Sequence, residues 1–459
     1  MRRPTPSTPR EGDATHTSPF TSLSASVTDA ERRLLALPRF ATSTAAYRPG
    51  LERMNALLAA LGDPQETVPV IHVAGTNGKG STASLAASVA SAAGLRVGLH
   101  TSPHLLSIHE RMRVDGAPAP DAWLAGALAR VGDALEAVGP SFFEATVALS
   151  LLYFAEAAVD LAVVEVGLGG RLDGTNVVRP VASVVTHVGL DHTDLLGDTT
   201  AAIAREKAGI AKPGVPLLHA VAEAEAQAAL TAEATRLGAP VERVRETCTA
   251  AVLDAAPLRI RLRTPAADYG EAAIGLPGAH QAWNAALAVR AVEVAVGRSG
   301  GPAPTPEAVR AGLAEVVTRS GLRGRGESLP EDPRVALDVA HNADGWRAAL
   351  DGLPVPEGGR LWALVGVMAD KDAGALADAL ALHDTRALVM PLDGDRALPA
   401  EILAETLQAR GVPALVVADA RAALEAFTEA AAPADRLLVT GSHLTVAAVL
   451  ARTRSAPVG

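Results

Sequence analysis

Cysteine is nearly absent from this sequence: Cys248 is the one cysteine in 459 residues. That excludes an intrachain disulfide framework and any cysteine-rich zinc site, and it fits a reducing cytoplasm. Aromatic residues make up only 3% of the chain, so its cores must be built from Ala, Val and Leu. Positive charge is in the minority, with 41 Lys and Arg against 51 Asp and Glu, a net charge of −10. Nucleic acid is therefore not expected as a partner, because backbone binding needs clustered cations. A small anion remains compatible, since a local cationic pocket can sit on an acidic protein. No apolar run reaches the roughly 18 residues of a membrane span. The greasiest stretch, Ala145 to Val166, is broken by Glu156, Asp160 and Glu165. Residues 1–30 lack the apolar centre of a secretory signal and carry Ser, Thr or Pro at half of their positions. They read as a disordered leader or a misassigned start, with a transit peptide as the lesser alternative.

What is present is the balance of a globular protein, 49% hydrophobic and 20% charged, in a chain too long for one core. From Glu31 onward, short β-branched runs alternate with Ala-rich helical stretches, which predicts α/β architecture with mostly parallel sheets. Expected strands include Val68–Ala74, Leu95–His100, Leu161–Val166 and Val181–His187. Expected helices include Ser81–Ala93, Asp121–Val138, Glu144–Ala158 and Thr200–Ala211. A small antiparallel insert is expected between Thr247 and Ile274. The Gly- and Arg-rich stretch Ser320–Glu327 reads as a connector, after which a second α/β rhythm predicts a smaller Rossmann-like domain. The expected division is 1–30 leader, 31–317 nucleotide-binding domain, 318–327 linker and 328–459 second domain.

The first chemical motif is Val70-Ile-His-Val-Ala-Gly-Thr-Asn-Gly-Lys-Gly-Ser81. An apolar strand enters a Gly-rich turn that opens a helix, so backbone N–H groups and the positive end of the helix dipole converge on one point. Against the plainer reading of a Gly-rich strand-to-helix turn with an incidental lysine, that predicts a phosphate site. Gly75, Thr76, Asn77, Gly78, Lys79, Gly80 and Ser81 form it, with Lys79 offering its charge to terminal phosphates. The usual nucleotide-loop pattern is not met in full, because Val73 stands where Gly is expected and Gly80 separates Lys79 from Ser81. An ordinary kinase is therefore disfavoured, and the GTPase signature Asn-Lys-x-Asp is absent.

GTNGKGS resembles the phosphate loop of the Mur ligase superfamily, and most closely that of folylpolyglutamate synthases. Further segments carry the same resemblance: Thr101-Ser-Pro-His-Leu105, Glu165-Val-Gly-Leu-Gly-Gly-Arg-Leu-Asp-Gly-Thr-Asn176, Leu190-Asp-His-Thr-Asp194 and Arg205-Glu-Lys-Ala-Gly-Ile210. The resemblance implies Mg²⁺ held by Ser102, Glu165 and His192, and a carbamylated Lys207. Without it, Glu165 would be read as a salt-bridge partner of Arg171, His192 as a surface histidine and Lys207 as a solvated helix lysine. A carbamate has physical sense at that position, since it replaces an ammonium that repels Mg²⁺ with an oxygen that attracts it.

The resemblance also implies ATP contacts from Asn284 in Gly278-Ala-His-Gln-Ala-Trp-Asn284, from Arg325 in Leu322-Arg-Gly-Arg-Gly-Glu327, and from Asp338 in Asp-Val-Ala-His-Asn342. In the second of these Arg323 competes for the register. Ser141, Phe142, Phe143 and Glu144, with Leu172, Asp173 and Gly174, match contacts to a pterin-bearing substrate. Core packing explains the two phenylalanines nearly as well. Thr42–Leu51 is a looser match, and Met368–Asp372 and Thr440–His443 are expected to face glutamate without firm residue roles. The implied activity is ATP-dependent ligation of L-glutamate to dihydropteroate or to the γ-carboxylate of folates by a cytoplasmic monomer. A cell-wall amino-acid ligase of the same superfamily would carry a full nucleotide-sugar domain before the loop, for which about 40 residues are too few.

Overall fold

Val70–Ala74 (β1) is apolar but for His72 and is buried along its whole length, as a central parallel strand must be. In the computed structural model, which describes residues 29–38 and 50–455, it lies deep inside an eight-stranded sheet. The other members are β2 (Val97–His100), β3 (Met112–Val114), β4 (Ala117–Pro118), β5 (Leu161–Glu165), β6 (Ala182–Val185), β7 (Leu217–His219) and β8 (Val241–Arg243). The order is β4-β3-β2-β5-β1-β6-β7-β8. All pairings from β2 to β8 are parallel, while β3 and β4 run antiparallel on one edge.

The helix after the phosphate loop, Lys79–Ala92, is buried at every residue from Gly80 to Ala90. Its Ala, Ser and Gly content is what lets neighbours press in on all sides. A Cβ on Gly312 of the helix Pro306–Ala314 would stand 2.5 Å from Val89 Cα. Ser88 Oγ donates to the Gly312 carbonyl at 2.6 Å. The insert is a three-stranded antiparallel sheet of β9 (Thr249–Ala255), β10 (Leu258–Arg263) and β11 (Asp268–Ala273). In β10, Leu258, Ile260 and Leu262 face the core and three arginines face solvent.

The second unit is a six-stranded sheet of β12 (Arg325–Leu329), β13 (Asp332–Asp338), β14 (Leu361–Val365), β15 (Arg386–Val389), β16 (Ala414–Val416) and β17 (Arg436–Thr440). Its order is β12-β13-β17-β14-β15-β16, parallel except for the β12–β13 pair. One core lies on each face, around Trp346 and around Phe427.

Four expectations need correction or restriction. The linker 318–327 is shorter than its composition suggests: Val316–Ser320 is helical and Arg325–Leu329 is β12, leaving Gly321–Gly324 without regular structure. The strand forms because it covers the otherwise open edge of β13. The helix expected from Glu144 begins at Phe142. Of the expected leader, residues 1–28 lie outside the described residues, and Asp29 opens the helix Asp29–Leu35. Residues 42–49 of the loosely matched Thr42–Leu51 also lie outside them.

Candidate active site

Both parallel sheets turn the carboxyl ends of their strands toward one cleft between the two units, the place where open α/β sheets gather ligands. The cavity there measures about 360 Å³. From the first unit it is lined by Gly75–Ser81, Ser102, Glu165, His192 and Lys207; from the second side, Arg325 and Asp338 reach it. The sequence places these residues far apart, and the fold assembles them.

The phosphate loop has the conformation that its glycines allow. Gly78 takes φ 82° as N-cap of the helix Lys79–Ala92. Gly75 lies so close to Thr186 that an added Cβ would be 1.9 Å from the hydroxyl. Lys79 Nζ donates to the carbonyls of Gly75 at 3.1 Å and Thr76 at 3.0 Å. Burial lowers its proton affinity, and Glu165 and Asp191 oppose that loss. Asn284, buried and bonded to Gln281 at 2.8 Å, presses on Gly78 from behind, although it does not line the cavity.

Glu165 ends β5, buried to 3% exposure, and accepts from the Ser102 backbone N–H at 3.0 Å. Burial pushes its carboxyl pKa up, and Lys79, the Ser102 N–H, Arg325 and Arg111 pull it back. Arg171 is not its partner, for that guanidinium is bound to Glu206 at 2.8 Å on the surface. His192 is a left-handed residue at φ 52°, and burial lowers its pKa to about 4, so its ring is neutral. A carboxylate, a hydroxyl and a neutral imidazole on one cavity wall suit a hard divalent ion that completes its shell with phosphate oxygens and water. No cluster of three or more His, Cys, Asp or Glu side chains able to hold a metal occurs among the described residues. This ion would depend on its substrate for ligands.

Lys207 is not a solvated helix lysine. It is buried to 3% exposure, its Nζ donates to the Gly75 carbonyl at 3.0 Å, and burial followed by the Lys79 charge lowers its pKa to about 7. Both competing arginines line the cavity, and the one beside the phosphate loop is Arg325. It pairs with Asp338 across β12 and β13, and its guanidinium would stand 3.1 Å from a Cβ on Gly80. Arg323 is instead bonded to Glu327 at 2.6 Å.

The seven residues expected to contact a pterin do not line this cavity. Ser141 and Glu144 form a reciprocal capping box for the helix Phe142–Glu156. Glu144 also pairs with Arg53 at 3.0 Å. Phe142 is a core residue under the Arg111 guanidinium, 5.1 Å from its ring centre. Phe143 and Asp173 adjoin the cavity through Gly167, where a Cβ would lie 2.5 Å from the Phe143 ring and 3.1 Å from the Asp173 carboxylate. Asp173 caps a short helix, bonding to the Thr175 N–H at 2.9 Å, and a Cβ on Gly174 would meet Glu144 at 3.4 Å. Leu172 is half-buried beside them. His72 and His100 are structural: they bond to Thr175 and Ser150 inside the core, and burial drops each pKa to about 3.

Asp191 was not foreseen as a site residue. Its carboxylate receives Lys371 Nζ at 2.7 Å and Asn342 Nδ2 at 3.0 Å, with His341 Nε2 at 3.5 Å, all from the second unit. Burial opposes the charge, but the His341 bond, His192 and Lys371 hold its pKa far below the carboxylate range. Asn342 also exchanges two amide hydrogen bonds of 3.0 Å with Asn77 of the phosphate loop. No local pattern announces a contact between residues 265 positions apart.

The Mur ligase middle domain family matches residues 73–292, and the Mur ligase glutamate ligase domain family matches residues 324–443. Together they define a ligase of the Mur class. The folylpolyglutamate synthase of Lacticaseibacillus casei is 38% identical over 357 residues, 76% of this chain and 82% of its own. The dihydrofolate synthase/folylpolyglutamate synthase of Escherichia coli is 36% identical over 410 residues, 87% of this chain and 90% of its own. A solved structure of E. coli FolC with DHPP and ADP superimposes with a TM-score of 0.81 at 32% identity, covering 93% of this chain and 98% of that one. Within the Mur class, the chain belongs to the folylpolyglutamate synthase/dihydrofolate synthase family.

Proposed function

We propose that this protein is an ATP-dependent amide ligase that adds L-glutamate to dihydropteroate and to the γ-carboxylate of folates, releasing ADP and phosphate. One observation carries the reading: the phosphate loop, the Glu165 carboxylate, Lys207, Arg325 and Asp338 share a single interdomain cleft.

A carboxylate resists an amine because oxide is a poor leaving group, and phosphorylation to an acyl phosphate removes that obstacle. The loop N–H groups and Lys79 balance negative charge on the transferred phosphoryl group, with Arg325 facing it from the second unit. Asp338 positions the nucleotide from the second unit, and Asn284 acts on it through Gly78 of the loop. Ser102, Glu165 and His192 would hold Mg²⁺, which supplies Lewis-acid stabilisation of phosphate oxygens. Lys207 in its carbamate form orients that part of the site through its oxygens. The neighbourhood of Phe143, Asp173 and Gly167 receives the acceptor from the side, and the second unit brings glutamate, so amine and acyl phosphate meet in a dry cleft.

One chain supplies both walls of the cleft, which supports a monomer, and the use of ATP favours a cytoplasmic enzyme. No helix among the described residues is long and apolar enough to cross a membrane. The division into 31–317 and 328–459 remains our working division of labour, with Gly321–Gly324 as hinge. The test is ADP release with dihydropteroate or a reduced folate, each with and without L-glutamate. Release that ignores glutamate with both acceptors would overturn the reading.

A further inference from the structure

Arg113 lies on β3 opposite Leu99 of β2 and lines the cleft, yet no motif nominates it. The residue is buried to 7% exposure, and its Nε has no hydrogen-bond partner among the described residues. A guanidinium is never neutral at working pH, and burying one unpaired is costly. Burial does depress its proton affinity, and Glu110 is the carboxylate that opposes the loss, while Arg323 adds to it. Glu110 is already committed: its oxygens accept from the backbone N–H groups of Leu105, Leu106 and Ser107 at 2.9, 2.9 and 3.0 Å. Arg323 is likewise committed, to Glu327. The wall here therefore carries a desolvated cation that Glu110 balances only through space, with no carboxylate in ion-pair contact among the described residues.

Position argues against phosphate as that anion. β3 stands three strands from β1, which carries the phosphate loop. At about 4.8 Å per strand that is roughly 14 Å. The loop, Lys79 and Arg325 already serve the phosphates at the β1 end. Ser102 and Pro103 line the wall between the two ends.

We infer that Arg113 is a substrate anchor that binds a carboxylate of the ligation partners, either of the incoming amino acid or of a glutamyl tail on the acceptor. The inference rests on the ligase reading above. Arg is suited to the role because its planar fork takes a carboxylate through two parallel bonds.

The test compares the wild type with Arg113→Met, which keeps volume and removes charge, and Arg113→Lys, which keeps charge and loses the fork. KM is measured for ATP, for L-glutamate and for two acceptors, dihydropteroate and a folate carrying a glutamyl tail. In Arg113→Met we expect a carboxylate KM to rise tenfold or more while KM for ATP stays within twofold. A rise for L-glutamate with both acceptors assigns the anchor to the amino acid. A rise confined to the tailed acceptor assigns it to the tail. A folded Arg113→Met enzyme with every KM within twofold of wild type overturns the inference. Should Arg113→Met not fold, Arg113→Lys decides by the same pattern, at threefold or more. Glutamate-independent ADP release by the wild type would overturn the ligase reading, and the anchor with it; unchanged KM values beside a glutamate-dependent wild type overturn the anchor alone.

Discussion

Lys207 offers a quantitative prediction, because its environment decides its chemistry. Carbon dioxide combines with a neutral amine and not with an ammonium. A lysine at the ordinary 10.5 is neutral in about one molecule in a thousand at pH 7.5, whereas one lowered to about 7 is neutral in about three-quarters. Burial at the loop thus raises the reactive fraction by nearly three orders of magnitude. Enzyme incubated with ¹³C-labelled bicarbonate should show a carbamate resonance whose intensity rises through pH 7, and Lys207→Met should lack it. Activity of enzyme freed of carbon dioxide should recover on adding bicarbonate over the same range. The sign for stability is the same: between about pH 7 and 10.5 the unfolded chain holds a proton that the folded chain has released, so unmodified protein gains stability as pH rises across that window. A bicarbonate-free enzyme of full activity, with no labelled carbamate at pH 8, would refute the reasoning.

Lys79→Ala should cut ADP release by about a hundredfold or more while leaving the circular dichroism unchanged; near-normal turnover removes its assigned role. His192→Ala should raise the Mg²⁺ concentration needed for half-maximal activity, and an unaltered requirement would show the metal ligands to be misassigned. Gly75→Ala forces a methyl to 1.9 Å from the Thr186 hydroxyl and should lower stability by roughly 2 kcal/mol or more, read from urea unfolding. Asp191→Ala leaves Lys371 without its buried partner, and small-angle scattering should then show a more open molecule; an unchanged radius of gyration would exclude a clasping role.

Much of this architecture was legible in the sequence because its signals are local. The run Val70–Ser81 carries strand, turn and helix in one stretch, and Asp121–Val138 coincides with its expected helix. Glu165 was legible as a site residue because a carboxylate closing an apolar strand needs a reason. Other features resisted for physical reasons. Ser141-Phe-Phe-Glu144 resembles a substrate segment, but the same spacing is a capping box, and a sequence does not tell which role the side chains serve. The register of Arg323 and Arg325 depends on strand pairing with Asp338, a tertiary fact. Arg113 and Asp191 stand out only through what surrounds them. An acidic residue ahead of a histidine in a polar loop, or an arginine on a short strand, is unremarkable in print.

The paired amides of Asn77 and Asn342 have a temporal consequence. One of them belongs to the loop that grips the nucleotide, and its mate is fixed to the neighbouring body. Whatever reshapes the loop when ATP arrives or ADP departs must therefore tug on the seam. Nucleotide exchange and opening of the seam would then be linked through this pair of side chains.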